Sequence, residues 1–292
     1  MSIWHNYHLA YSVDEALQLL VNAPESARVI AGGTDFLLDL QQGRHPPVHT
    51  LVDITNIPEL NILNIHQERM IIGAARPLNQ IVSSPLVNEH APALVEACRL
   101  IGGPQVRNTA TLGGNVAHAL PAGDGTIALL ALNAQAEVAS LQGRYTIPMS
   151  GLFVGPGRSK LDPRREILVG FWLPLSKPGQ SSAFRRVMRP QGVAIAILNM
   201  AIWLQRKEGR IDDIRISLGP AGAVPMRAVC SEQVLRGHQW NQEIFWQACE
   251  CLLSEASFRT SPHRATAEYR RHVACILLEE TISAAWKRIS SN

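Results

Sequence analysis

The sequence predicts an α+β protein whose mixed α/β half is followed by a half of strands and then helices. Three observations lead there. Up to Ala136, short apolar runs of strand character alternate with segments of helical periodicity. From Ala136 onward, β-type runs follow one another with turn residues between them. After Pro225 the chain reads as helix. The 292 residues, 46% hydrophobic and 17% charged, suffice for about two packed domains.

The elements follow in order. Ser12-x-x-Glu15 is a capping box opening the helical run "ALQLLV", which Pro24 closes. "ARVI" reads as a strand, Gly32–Gly33 as a turn, and "FLLDLQQG" as a short helix ending at Gly43. "TLVDIT" and "RMIIGAA" are strands. "APALVEACRLIG" is an amphipathic helix stopped by Gly102–Gly103–Pro104. Asp124-Gly-Thr126 leads into the apolar helix "IALLALNA". "AEVAS", "GRYTIP", "EILVGFWLP", "SAFRRVM", "GVAIAILNMAIWL" and "RIDDIRISLG" are strands. "PLSKPGQ", at 174–180, is the linker candidate. The helices "MRAVCSEQVLRG", "NQEIFWQACECLLSEA" and a segment from about 264 to 289 complete the chain.

Composition removes several classes of function. A net charge of +3 without Lys/Arg runs gives no nucleic-acid footprint. The N-terminus lacks a basic-then-apolar signal pattern, and the nearly apolar run at 192–204, broken by Asn199, is too short to cross a bilayer. The expected location is cytoplasmic. The five cysteines, Cys98, Cys230, Cys249, Cys251 and Cys275, form no C-x-x-C pair and are read as reduced, structural thiols. His45 and His49 straddle Pro46–Pro47, which forbids the helix their spacing would need, so no metal site is expected.

Two glycine pairs carry chemistry. Ala31-Gly32-Gly33-Thr34-Asp35 has a partial echo at Gly113–Gly114 in "TATLGGNVAHALPAGD". A glycine pair bares main-chain N–H groups, and such turns form anion-binding nests. Two could grip the two phosphates of a dinucleotide. Neither G-x-G-x-x-G nor a P-loop is present. The alternative for each pair is a plain tight turn.

These stretches, with "LFVGPGRSKLDPRREILVGFWLP", "RISLGPAGAVPMRA" and "SPHRATAEYRRHVACILL", resemble the FAD-binding medium subunit of the molybdenum hydroxylases, the family of bacterial xanthine dehydrogenases and carbon monoxide dehydrogenase. The match runs through nearly the whole chain in order. The resemblance implies a vanillyl-alcohol-oxidase-type FAD-binding domain of two α/β subdomains at 1–176, divided near residue 55, and a smaller α+β C-terminal domain at 177–292. It implies that Val29, Ile30, Ala31, Gly32, Gly33, Thr34, Asp35 and Phe36 wrap the FAD pyrophosphate through backbone amides. Thr111, Leu112, Gly113, Gly114 and Asn115 would do so from the other side. It carries over a polar contact at Asp124, a backbone contact at Leu168 and a basic residue at Arg185.

Asp124 would not serve the phosphates, because like charges repel. It suits ribityl hydroxyls or a flavin-edge donor. Its alternative role is to cap "GTIALLALNA", as Thr34 and Asp35 could cap "FLLDL". No proton-transfer role falls to His118. One departure concerns the acidic residue that many relatives carry before the strand "AIAILNMAI". Here 188–198 holds no Asp or Glu, and Gln191, Gly192 and Val193 occupy that neighbourhood.

The implied function is an electron-transfer oxidoreductase subunit. A large molybdopterin subunit would act on substrate. A small subunit with two 2Fe–2S clusters would pass electrons to FAD here, and NAD+, oxygen or a quinone-like acceptor would take them. The rivals are a free-standing FAD oxidoreductase with its own substrate and a flavin-free scaffold subunit.

Overall fold

The computed structural model describes residues 3–189 and 195–290. Its first layer is a parallel three-stranded sheet. Strands β1 (Asn6–Leu9), β2 (Ala27–Ile30) and β3 (Thr50–Asp53) lie in the order β1-β3-β2, with Thr50 opposite both Asn6 and Ala27. Helix α1 (Val13–Asn22) connects β1 to β2, and α2 (Phe36–Gln41) connects β2 to β3. Ser12 Oγ accepts the Glu15 N–H at 3.1 Å, and the Glu15 carboxylate accepts the Tyr11 N–H at 2.8 Å. Val13, Ala16, Leu17 and Leu20 then fall on one buried stripe, as a 3.6-residue period requires. Strand β1, "NYHL", lies outside the predicted elements. It is a largely exposed edge without an alternating apolar pattern to announce it.

The second layer is an antiparallel sheet of five strands in the order β4-β5-β10-β6-β7. It uses β4 (Leu63–His66) and β5 (Arg69–Gly73), then a run of short helices. These are α3 (Leu78–Val82), α4 (Pro85–His90), α5 (Pro92–Leu100), α6 (Pro104–Thr109), α7 (Leu112–Ala117) and α8 (Asp124–Ala131). Strands β6 (Gln135–Ser140) and β7 (Gly143–Pro148) and, after the separate hairpin of β8 (Phe153–Gly155) and β9 (Arg158–Ser159), β10 (Glu166–Pro174) complete it. Only α5 and α8 of these helices were legible as periodic segments. The other four have five or six residues, too few for a period to emerge. Proline at the first turn starts α4, α5 and α6, where its missing N–H is harmless.

The C-terminal sheet is antiparallel, β11 (Gln180–Val187), β12 (Leu198–Lys207), β13 (Arg210–Gly219) and β14 (Met226–Arg227), with helices α9 (Val229–Leu235), α10 (Gln242–Glu255) and α11 (Ala267–Ser290) after it. Side-chain alternation makes β12 serve two cores at once. Ala201 and Trp203 join the core of the five-stranded layer, and Leu198, Met200, Ile202 and Leu204 join the helices. The expected strand "GVAIAILNMAIWL" begins at Leu198, and Gln191, Gly192 and Val193 lie outside the described residues.

One expectation is overturned. Cys249 on α10 and Cys275 on α11 form a disulfide, with Cα atoms 5.6 Å apart, so the five cysteines are not five independent thiols. A 26-residue separation carries no spacing signal, and the pairing follows from the packing of α10 against α11. Cys98, Cys230 and Cys251 are free. Among the described residues no helix is long and apolar enough to cross a membrane.

Candidate functional site

The first glycine pair does form a turn between β2 and α2. Gly33 has φ +65°, the left-handed region that favours glycine. Gly32 sits so close to the end of α6 that a Cβ there would lie 2.2 Å from the Thr109 carbonyl oxygen. The turn is therefore pressed against the segment that leads into the second glycine pair. Among the described residues, nothing accepts a hydrogen bond from the N–H groups of Gly32, Gly33, Thr34, Asp35 or Phe36. Asp35 precedes α2, but its side chain makes no capping bond. Five successive donors are thus left for a ligand. Ahead of them Val29 and Ile30 hold the turn to the sheet, opposite Val52 and Asp53.

The second pair is not a turn. Gly113 and Gly114 lie in the first turn of α7, and its amides are engaged within the protein. Leu112 N–H donates to the Arg76 carbonyl at 3.3 Å and Gly113 N–H to the Ala74 carbonyl at 2.8 Å. Gly114 N–H donates to Thr111 Oγ1 at 3.0 Å and Asn115 N–H to the Thr111 carbonyl at 3.1 Å. This corrects the expectation of a second open nest. Glycine at 113 is required by close approach, because a Cβ would lie 2.5 Å from the Ala74 oxygen. What α7 offers is a side chain, since Asn115 Oδ1 is buried and has no partner.

Asp124 is the first residue of α8, after the N-cap Gly123, and it is buried. Its carboxylate is paired with the Arg186 guanidinium, and Asn199 Nδ2 donates to it at 2.5 Å. Burial pushes the Asp124 carboxyl above its ordinary range, while Arg186 and Asn199 pull it back. Arg186 Nε, Asn199 Oδ1 and Thr126 Oγ1 are buried without partners, like Asn115 Oδ1. Gly123 and Gly125 hold these groups together, a Cβ at Gly125 lying 2.8 Å from Asn115 Oδ1. Each buried polar atom left unsatisfied costs about 1–3 kcal/mol. Orphan donors and acceptors around one carboxylate therefore mark a place for a polar ligand.

Arg185 points elsewhere. Adjacent strand residues face opposite sides, so Arg186 reaches Asp124 while the Arg185 guanidinium lies 3.3 Å from Glu96 on α5 and donates to the Phe184 carbonyl. Leu168 is buried in β10 opposite Val138, beside a bulge. The next residue's carbonyl takes the Ala74 N–H at 2.9 Å, and Ala74 in turn holds Gly113. Sequence reasoning missed Arg186 and Asn199. Asn199 did leave a signal, as the polar break in an apolar strand.

Residues 3–176 match the family model of the FAD binding domain in molybdopterin dehydrogenase, and 182–285 match that of the CO dehydrogenase flavoprotein C-terminal domain. The chain belongs to this family of FAD-binding flavoproteins. It is 31% identical to the putative xanthine dehydrogenase FAD-binding subunit of Escherichia coli, over 96% of this chain and 95% of that one. It is 34% identical to the nicotine 6-hydroxylase medium subunit of Paenarthrobacter nicotinovorans, over 95% of each. The solved carbon monoxide dehydrogenase of Hydrogenophaga pseudoflava contains a chain that superposes with a TM-score of 0.92 at 30% identity, over 97% of this chain and 98% of that one. The α+β architecture is thus that of a molybdenum hydroxylase flavoprotein, and the chain is an FAD-binding oxidoreductase component. The residues present fit FAD. Five free amides suit a pyrophosphate without burying a lone cation, and the orphan groups around Asp124 suit hydroxyls and ring heteroatoms.

Proposed function

We propose that this chain is the electron-transfer subunit of a multi-subunit molybdenum hydroxylase. Electrons would arrive from 2Fe–2S clusters on a small subunit, fed by a large molybdopterin subunit that acts on the substrate. NAD+, oxygen or a quinone-like acceptor would receive them. The observation that carries the reading is the run of five unclaimed main-chain donors at Gly32, Gly33, Thr34, Asp35 and Phe36. The names of the relatives support it further, since two are medium chains and one is an FAD-binding subunit.

In this reading residues 1–176 form the FAD-binding unit and 177–292 close against it. The N–H groups of the first glycine turn hold the pyrophosphate. Asn115, Thr126, Asp124, Arg186 and Asn199 orient the polar groups beyond it, and Leu168 adds main-chain contact. Bound FAD supplies the exchange of one and two electrons. No residue need act as a general base or nucleophile, so the chain's work is positioning and electrostatic tuning.

The test is purification of the native assembly. The reading expects a flavin absorbance, iron and molybdenum in the same size-exclusion peak, and two further polypeptides. A yellow protein eluting alone and turning over its own substrate would support the free-standing rival. A colourless chain within the assembly would support the scaffold.

A further inference from the structure

A buried charge in the C-terminal domain lacks a counter-charge. Arg270, near the start of α11, is 2% exposed. Its Nε has no partner, and its one hydrogen bond among the described residues, from Nη1 to the Pro220 carbonyl, is 3.5 Å long. That is at the outer limit of such a bond. Two more guanidiniums, those of Arg264 and Arg259, act on it as like charges, and both residues are exposed. Among the described residues no carboxylate forms an ion pair with any of the three.

The loop between α10 and α11 holds this arrangement. Ser261 N–H donates to the Ala265 carbonyl at 2.9 Å, Arg264 N–H to the Ser261 carbonyl at 3.1 Å, and Ala267 N–H to Thr260 Oγ1 at 3.1 Å. The N-terminus of the 24-residue α11 adds its positive end. A guanidinium keeps its charge, so it cannot escape burial by losing a proton. An unpaired buried charge is among the least stable features a fold can carry. A buried arginine without an acid, at the start of the helix that the loop carrying two exposed arginines leads into, is an arrangement that suits an anion.

We propose that Arg270, Arg264 and Arg259 form a binding site for a phosphate-type dianion. The fork of a guanidinium matches two oxygens of phosphate, and three cations favour a dianion over a monocarboxylate. The site shares no residue with the glycine turn or the Asp124 cluster, so it is separate from the flavin's own phosphates.

The experiment is thermal unfolding of the full chain saturated with FAD, titrated with inorganic phosphate at constant ionic strength. A saturable rise in Tm is expected, about 5 °C at a hundredfold excess over Kd. The double variant Arg259→Ala/Arg264→Ala, altered only at exposed positions, should raise the apparent Kd at least about tenfold. Arg270→Lys keeps the charge but loses the fork, and should also weaken phosphate. The double variant decides if that protein does not fold. Three results would overturn the proposal: no effect of phosphate beyond that of chloride, an equal effect of acetate, or an undiminished effect of phosphate in the double variant.

Discussion

The carboxylate of Asp124 meets the guanidinium of Arg186 where α8 begins and β11 ends, with side-chain exposures of 6% and 5%. The pair joins the FAD-binding half of the chain to the C-terminal sheet. Around it Asn199 Nδ2 donates to the Ala122 carbonyl at 3.1 Å, and Ser217 Oγ donates to the Ile127 carbonyl at 2.6 Å. Gly219 packs so tightly that a Cβ would lie 1.9 Å from the Pro121 oxygen. The C-terminal strands therefore set the position of the Asp124 carboxylate.

Removing one partner of a buried pair strands the other charge, which typically costs about 3–5 kcal/mol. Asp124→Asn should destabilise the chain on that scale and weaken FAD. The double variant Asp124→Asn/Arg186→Met should regain most of the stability without regaining affinity for FAD. Urea unfolding and flavin titration of wild type, Asp124→Asn, Arg186→Met and the double variant measure both. Additive stability losses would show that the pair does not act as a unit.

Gly33→Val places a branched side chain at φ +65°, with its Cβ 3.0 Å from Ile30 Cδ1 and from Leu37 Cδ1. The turn must open, and its five donors are displaced. The flavin-to-protein ratio of the purified variant should fall at least about tenfold, the loss expected when charge-assisted bonds are misdirected. Full flavin occupancy would remove this turn from the site.

Tyr7 donates its hydroxyl proton to Asp53, and this bond together with burial and the Asp53 charge pushes its pKa up to about 12. A raised folded pKa contributes stability that is complete below the unfolded value near 10 and is lost as pH rises through about 12. Tyr7 is 53% exposed, so solvent screening holds the contribution to about 1 kcal/mol or less. Wild type should lose this increment between about pH 10 and 12, whereas Tyr7→Phe should lack it at neutral pH and show a smaller step, the part that Tyr145, also raised to about 12, contributes. Unfolding free energies across that range would reveal the difference.

Alkylation of the denatured, unreduced protein should label Cys98, Cys230 and Cys251 only, and reduction should add Cys249 and Cys275. Mass spectrometry counts the adducts. Cys275→Ser should lower stability by about 3 kcal/mol, the loop-closure value for a crosslink of this span. Five labels without reduction would place both residues back among the free thiols.

Several elements were legible because their signals are local. The capping box at Ser12 and Glu15, the stripe of α1 and the strand–turn–helix around Gly33 need only neighbours in sequence. The glycine at 113 was noticed for the right residue type and the wrong conformation. Its reason is the Ala74 carbonyl 39 residues away, which composition does not display. Arg185 and Arg186 are adjacent in sequence, and only the register of β11 against β12, with Arg186 opposite Asn199, decides which one faces Asp124.

By itself the sequence determined the α+β class, the order of most elements, the first glycine turn and, through motifs spread along the chain, the likeness to FAD-binding subunits. These depend on residue type, spacing and local backbone preference, which a linear chain carries explicitly. Tertiary structure alone decided that the second glycine pair is helical, that Arg186 and Asn199 hold Asp124, that Cys249 meets Cys275, and that Arg270 is buried without an acid. Each is a contact between residues distant in sequence, set by which faces pack together and which polar atoms that packing leaves without partners.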